Sequence, residues 1–303
     1  MKRSRLLTVC SLLIVGLALL HLAACNSTSK EMTGTPPDTT RSVTLISGLS
    51  LEYLEMGDPG GMAVVFLHGY TDSHDSFSRV APLMPREVHA FYLTMRGHGN
   101  SARPGAYAMD LFASDVAGFM DQVGIEHAVV VGHSMGSFIA QRVALDFPEK
   151  VTGLVLIGSG ASCSDNAVLA ELKTYVDTLK DPIDRGFVRE FQASTVAAPV
   201  PDAFLSHVVD ESMKLKAHVW KEVLAELMAV DHRDQVSAIV VPTLVLWGEK
   251  DGVFGAADQL YLGTHIPEAS LKLYADTGHG LQWERPERFV ADLSDFLKTT
   301  HSD

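Results

Sequence analysis

Cysteine is scarce in this chain: 303 residues contain three, Cys10, Cys25 and Cys163. That excludes a disulfide framework, and their spacing fits no thiolate metal site. Basic runs are missing too. Lys and Arg number 24 against 37 Asp and Glu, the net charge is −13, and beyond Lys2, Arg3 and Arg5 the basic residues do not cluster. This balance favours solubility and argues against a nucleic-acid partner or an anionic polymer as substrate. Long apolar runs are absent as well. The longest uncharged one, residues 6–20, barely reaches the thickness of a bilayer and stops at His21. What the chain has is 47% apolar residues, enough over this length to bury a large core, as one domain with an insertion or as two.

The N-terminus reads as a sorting signal. A basic start, an apolar middle and the small residues Ala23-Ala24 before Cys25 have the order of a secretory leader. Leu22-Ala23-Ala24-Cys25 resembles a bacterial lipobox. The resemblance implies cleavage before Cys25 and acylation of its thiol and new amine, so that several acyl chains hold the protein on a membrane of the cell envelope. Asn26, where lipoproteins kept in the inner membrane often have Asp, points by the same resemblance to an outer membrane. Residues 26–41, rich in Ser, Thr, Gly and Pro, read as a flexible tether. Cys163 then has no partner and reads as an inert small residue.

The chemistry gathers at Gly132-His133-Ser134-Met135-Gly136. A β-branched run at 128–131 precedes it and a helix-like stretch at 137–147 follows. This strand, sharp turn, helix context makes a G-x-S-x-G sequence a candidate nucleophile turn. Glycine at 132 and 136 fits a turn so tight that its neighbours must be nearly free of side chain. Further apolar runs at 63–67, 88–93, 151–157, 240–246 and 269–274 read as buried strands, and 43–46 with 49–55 as a hairpin. The 106–123 stretch has apolar residues at helical spacing, with Asp110 and Asp115 assigned to its polar side. Strands alternating with helices predict an α/β fold with a mostly parallel central sheet flanked by helices.

Between 159 and 236 the strand pattern stops, and amphipathic stretches at 166–179, 184–194, 201–214 and 217–230 predict an inserted helical cap. Phe187, Phe191, Phe204, Leu205, Met213, Trp220 and Met228 are candidates for its inner face, of which two or three are expected to meet a ligand. The chain therefore divides into a leader at 1–24, lipidated Cys25 and tether at 25–41, core at 42–158, cap at 159–236, core at 237–299 and a tail at 300–303.

Three loops complete a site. His68-Gly69-Tyr70 ends one strand, and the backbone N–H groups of Tyr70 and Met135 are placed to hold an oxyanion. His68 itself reads as a structural hydrogen-bonder. Asp251 and His279 each follow a strand's C-terminal end, where open α/β sheets collect ligands, with Glu249 a rival two residues from Asp251.

Residues 42–299, with Arg96-Gly97-His98-Gly99-Asn100-Ser101 added to these motifs, resemble the α/β-hydrolase fold family in its serine branch with a helical cap. The resemblance implies Ser134 as nucleophile, His279 as base and Asp251 as the acid that orients it, with no metal or other cofactor. Dehalogenases and epoxide hydrolases of this fold carry Asp at the Ser134 position and are disfavoured. Carbon–carbon hydrolases usually place Trp directly after the histidine, where this chain has Gly280, although Gln282-Trp283-Glu284 echoes them. Cleavage of a small neutral apolar ester or lactone leads. A ligand sensor, a hydroxynitrile lyase and a perhydrolase share the same triad and stay open.

Overall fold

The computed structural model describes residues 39–300. The leader, Cys25, most of the tether and residues 301–303 lie outside the described residues. Strands β1 (Thr39–Thr44) and β2 (Ser50–Met56) form the expected hairpin, turning through Gly48 at a φ of +83° that glycine adopts freely. They are followed by β3 (Met62–Leu67) and β4 (Val88–Thr94). Helix α1 (Met109–Val123) leads to β5 (Ala128–His133), α2 (Met135–Asp146) and β6 (Val151–Ile157).

Then come four helices without an intervening strand: α3 (Ala167–Val176), α4 (Arg185–Ser194), α5 (Asp202–Met213) and α6 (Ala217–Met228). The chain returns to the sheet as β7 (Thr243–Gly248), α7 (Ala256–His265) and β8 (Ala269–Tyr274), and ends in α8 (Leu281–Glu284) and α9 (Pro286–Thr299).

The strands make one sheet of eight in the order β1-β2-β4-β3-β5-β6-β7-β8. Pairing is antiparallel as far as β4 and parallel from there to β8. Alternate residues serve opposite faces. Val65, Leu67 and Val130 pack with α1, α2 and the inserted helices, while Val64, Phe66, Val129 and Val131 pack with Phe289, Leu293 and Phe296 of α9. Covering both faces is what turns these strands into unbroken apolar runs.

The insertion leaves and rejoins the core through a neck. Ser162 and Asp231 form an antiparallel bridge, with Cys163 N–H donating to Val230 O at 2.9 Å and His232 N–H to Ala161 O at 2.8 Å. Cys163 is a buried free thiol whose pKa burial pushes well up, as fits an inert position.

One expectation is corrected in α1. Asp110 is exposed, but Asp115 is buried and receives Nε and Nη2 of Arg96 at 2.5 and 2.7 Å. Arg96 also donates to the carbonyls of Ala106 and Leu111, so the pair fastens the loop after β4 onto α1. Asp115→Ala leaves a guanidinium buried without its carboxylate and should cost about 3–5 kcal/mol in chemical denaturation. Asp110→Ala should cost under about 1 kcal/mol. Equal losses would show that the Arg96–Asp115 pair fastens nothing.

Candidate active site

Ser134 occupies the turn between β5 and α2 at φ +51° and ψ −121°, a conformation that L residues rarely hold. Close approach of the surrounding backbone imposes it. A Cβ on Gly132 would lie 2.2 Å from Gly136 O, and one on Gly136 would lie 2.3 Å from Leu67 O and 2.6 Å from His68 O. Ser134 N–H donates to Ile157 O at 2.9 Å, tying the turn to β6. Ser137, which follows Gly136, is fully buried and donates its hydroxyl to Ser134 O at 2.6 Å.

His279 and Asp251 meet. Asp251 Oδ2 accepts from His279 Nδ1 at 2.9 Å, and both side chains are buried. The second carboxylate oxygen accepts from Val253 N–H at 2.7 Å and Phe254 N–H at 3.0 Å. Burial pushes the Asp251 carboxyl up, but the His279 charge and these hydrogen bonds outweigh it and hold the pKa below the usual carboxylate range. Glu249, the rival acid, is exposed and accepts from Asp276 N–H instead. Room for the pair comes from Gly158, at φ +53°, whose Cβ would sit 2.8 Å from His279 Nδ1.

Two further histidines act as fixed hydrogen-bonders. His68 donates Nδ1–H to Gly69 O at 2.8 Å and accepts Met95 N–H on Nε2 at 3.0 Å, which needs the neutral ring. Burial lowers its pKa well below the usual value, and the structural reading of His68 is correct. His133, inside the serine turn, is pushed down to about 3 by burial and donates Nε2–H to His279 O at 3.2 Å, bracing the histidine loop. The sequence did not reveal that role.

Ser134 and His279 line a common cavity of about 130 Å³ with Gly69 and Tyr70. Among the described residues no hydrogen bond occupies the backbone N–H of Tyr70 or Met135. Gly69 is needed for close approach rather than for an unusual φ, since a Cβ there would lie 3.0 Å from His133 Nδ1 and 3.1 Å from Asp72 Oδ2. The left-handed residue of this loop is Thr71, at φ +66°.

Fewer of the cap candidates reach the cavity than the two or three expected. Of the seven candidates only Phe191 lines the cavity. Trp220 is fully buried among Tyr70, Phe187 and Phe191, and Phe204 packs on Trp283. The apolar wall is instead Val168, Leu169, Leu172 and Leu227, joined by Trp283 from the core. Among the described residues no Lys or Arg lines the cavity. The polar wall is Asp72, which accepts Gln192 Nε2 of α4 at 2.8 Å. An apolar cavity near 150 Å³ holds a group of benzene size, so this one suits a small substituent.

The profile of the family described as the alpha/beta hydrolase fold matches residues 62–208. Over 281 residues the chain is 29% identical to a non-heme chloroperoxidase of Streptomyces lividans, covering 85% of this chain and 99% of that one. It is 28% identical to a 2-hydroxy-6-oxononadienedioate/2-hydroxy-6-oxononatrienedioate hydrolase of Burkholderia vietnamiensis, covering 82% and 91%. Among solved structures it resembles an esterase from Exiguobacterium antarcticum, with a TM-score of 0.77 and 22% identity over 86% of this chain and all of that one.

Asp72 gives the site a pH signature. Its carboxyl is pushed up to about 7 by burial, against the opposing pull of hydrogen bonds from Gln192 and Ser76 and of the His279 charge. The folded state therefore holds this proton more tightly than the unfolded chain. Its stabilisation is complete below about pH 4 and is lost as pH rises through 7, by at most about 1.4 kcal/mol per pH unit. Asp72→Asn removes the titration, so its unfolding free energy should gain on wild type across that window. A constant difference would mean that Asp72 is ionised throughout.

Proposed function

We propose that this protein, which has the α/β-hydrolase fold, is a serine hydrolase of small, neutral, apolar carboxylic esters or lactones. The observation that carries the reading is Ser134, held at a strained φ between two glycines and opening into the same cavity as a histidine paired with a buried carboxylate. In this reading His279 takes the Ser134 proton as the hydroxyl attacks the carbonyl carbon. The negative oxygen that forms is held by the Tyr70 and Met135 N–H groups. Collapse expels the alcohol, which takes the proton from His279, and leaves the acyl group on Ser134. Water activated by His279 then releases the acid. Asp251 stays ionised, keeps the imidazole in the tautomer with its proton on Nδ1 and stabilises the imidazolium.

The cavity wall narrows the substrate. The related Burkholderia enzyme is named for a dicarboxylate substrate, whereas a dianion would find no Lys or Arg among the described residues of this cavity. A neutral substrate with one apolar arm against Leu169, Leu172 and Leu227 fits what is there. Each methylene buried contributes roughly 0.8 kcal/mol, about a fourfold gain in kcat/KM, until the space is full. A p-nitrophenyl ester series should therefore rise in rate over the first few carbons and then fall sharply, with Ser134→Ala and His279→Ala each reducing kcat by several orders of magnitude. A flat series, or a Ser134→Ala enzyme of near wild-type rate, would sink the hydrolase reading. Tight binding of a small ligand without turnover would favour a sensor.

The protein is proposed to work at the bacterial envelope, lipid-anchored through Cys25 and facing from the outer membrane, on the strength of the Leu-Ala-Ala-Cys leader. Among the described residues no helix is long and apolar enough to cross a membrane. In a Gram-negative host the wild type should incorporate labelled palmitate and sediment with membranes, while Cys25→Ser takes up no label. An unlabelled, soluble wild type would remove the anchor and leave the hydrolase reading intact.

A further inference from the structure

One cluster of metal-ligating side chains lies outside the chemistry above. Asp75 belongs to the short 3-10 turn His74–Phe77 that follows the Tyr70 loop, and His207 and Glu211 project from α5 one helical turn apart. His207 Nε2 is 3.1 Å from Asp75 Oδ2, and one donor atom from each of the three residues lies within 4.8 Å of the others. Donors around a tetrahedral Zn2+ at 2.0–2.1 Å are separated by roughly 3.3 Å. The contraction needed is therefore about an ångström or somewhat more, and the His207 side chain, 48% exposed, is free to supply much of it.

The His207–Asp75 contact alone would be an ordinary ion pair. Glu211 is the informative member. Its side chain is only 6% exposed and Oε1 accepts Lys214 Nζ at 2.6 Å, yet Oε2 has no hydrogen-bond partner among the described residues. A buried carboxylate oxygen left open is costly and asks for a ligand, the more so with a second carboxylate beside it and, among the described residues, Lys214 the only Lys or Arg in contact. Zn2+ takes both imidazole nitrogen and carboxylate oxygen, and the imidazole is the donor that favours a borderline divalent cation over a hard one.

We propose that Asp75, His207 and Glu211 bind one divalent cation of the Zn2+ class, which fastens α5 of the cap to the loop that carries Tyr70. The link reaches the cavity wall in few steps. Ser212, next to Glu211, accepts Gln192 Nε2 at 2.9 Å, and the same nitrogen donates to Asp72. The cation is a strut and takes no part in acyl transfer, so the inference stands independently of the substrate.

The test uses the full-length protein, free of any histidine tag and stripped with a chelator, titrated with Zn2+ alone by calorimetry and followed by thermal unfolding. Saturable binding at a single site and a raised Tm are expected, since a ligand specific for the folded state stabilises it. His207→Ala should weaken binding about tenfold or more and leave the metal-free Tm unchanged. Glu211→Gln should weaken it likewise. His127→Ala, removing another half-exposed histidine elsewhere on the surface, should change nothing. The proposal is overturned by no binding at about 100 µM Zn2+, by His207→Ala binding as the wild type does, or by Mg2+ binding as tightly. If Glu211→Gln fails to fold, His207→Ala decides alone.

Discussion

The architecture depends on how closely α2 approaches the ends of β3 and β5. The peptide planes at Gly136, Leu67 and His68 pass within a distance that leaves no space for a methyl group. That contact fixes where α2 begins, and hence where the Met135 N–H points. It also fixes the backbone of Ser134, because the chain has only one residue in which to pass from β5 into α2. The unfavourable φ at Ser134 is held by strands that are themselves buried on both faces, so the strain is confined to one residue and sustained by the whole sheet. A side chain on a strained turn is also one that is presented outward, toward the cavity.

Around this turn the histidines divide by what lies next to their rings. His68, His98, His133 and His232 are buried, and burial lowers the pKa of each. Stripped of charge, such a ring is a rigid piece carrying one donor and one acceptor, and His68 and His133 are used in that way to brace the Tyr70 and His279 loops. His279 differs because a carboxylate held by two backbone N–H groups stands at its Nδ1. Only a ring so paired can accept a proton on its far nitrogen without leaving an uncompensated buried charge. The environment, and not the residue type, separates the proposed base from the braces.

This explains how far the sequence could be read. Strands buried on both faces announce themselves as unbroken apolar runs, so β3, β4 and β6 fell within a residue of their expected ends, β5 within two and β7 within three; β8, an edge strand with Leu271 and Leu273 exposed, met its expected ends without that burial. The candidates Ser134, Asp251 and His279 could be picked out because each sits in a loop whose length and glycines are dictated by the backbone. Helix α7 was missed, since Ala256–His265 exposes most of its surface and has only Gln259 and Leu262 buried. The four-residue α8 is too short to show a period. The cavity wall was only partly legible, for a different reason. Helical periodicity says which face of a cap helix is apolar but not what it packs against, and the largest side chains, Trp220 and Phe204, fill the joints between helices. The cavity fell to smaller ones, Leu169, Leu172 and Leu227. Asp72 and Gly158 carried no local signal, because their significance lies in partners more than a hundred residues away.

The division between sheet and cap also bears on how one scaffold serves relatives with such different names. Every group assigned to bond-making in this chain comes from a loop at a strand end, and the sheet's own pairing holds those loops in register. The α3, α4 and α6 segments supply the apolar wall and a single amide, Gln192, that reaches the polar wall. The neck at Ser162 and Asp231 ties both ends of that insertion to one place. Exchanging side chains on those helices therefore alters size, polarity and charge in the cavity without disturbing the Ser134 turn or the His279–Asp251 pair. A change of substrate on this scaffold needs less than a new site: a cationic side chain in place of Leu172 would admit an anion, and a larger one in place of Leu227 would shorten the apolar space. The proposed chemistry rests on the backbone at the strand ends, and the space around it on a handful of side chains in the cap.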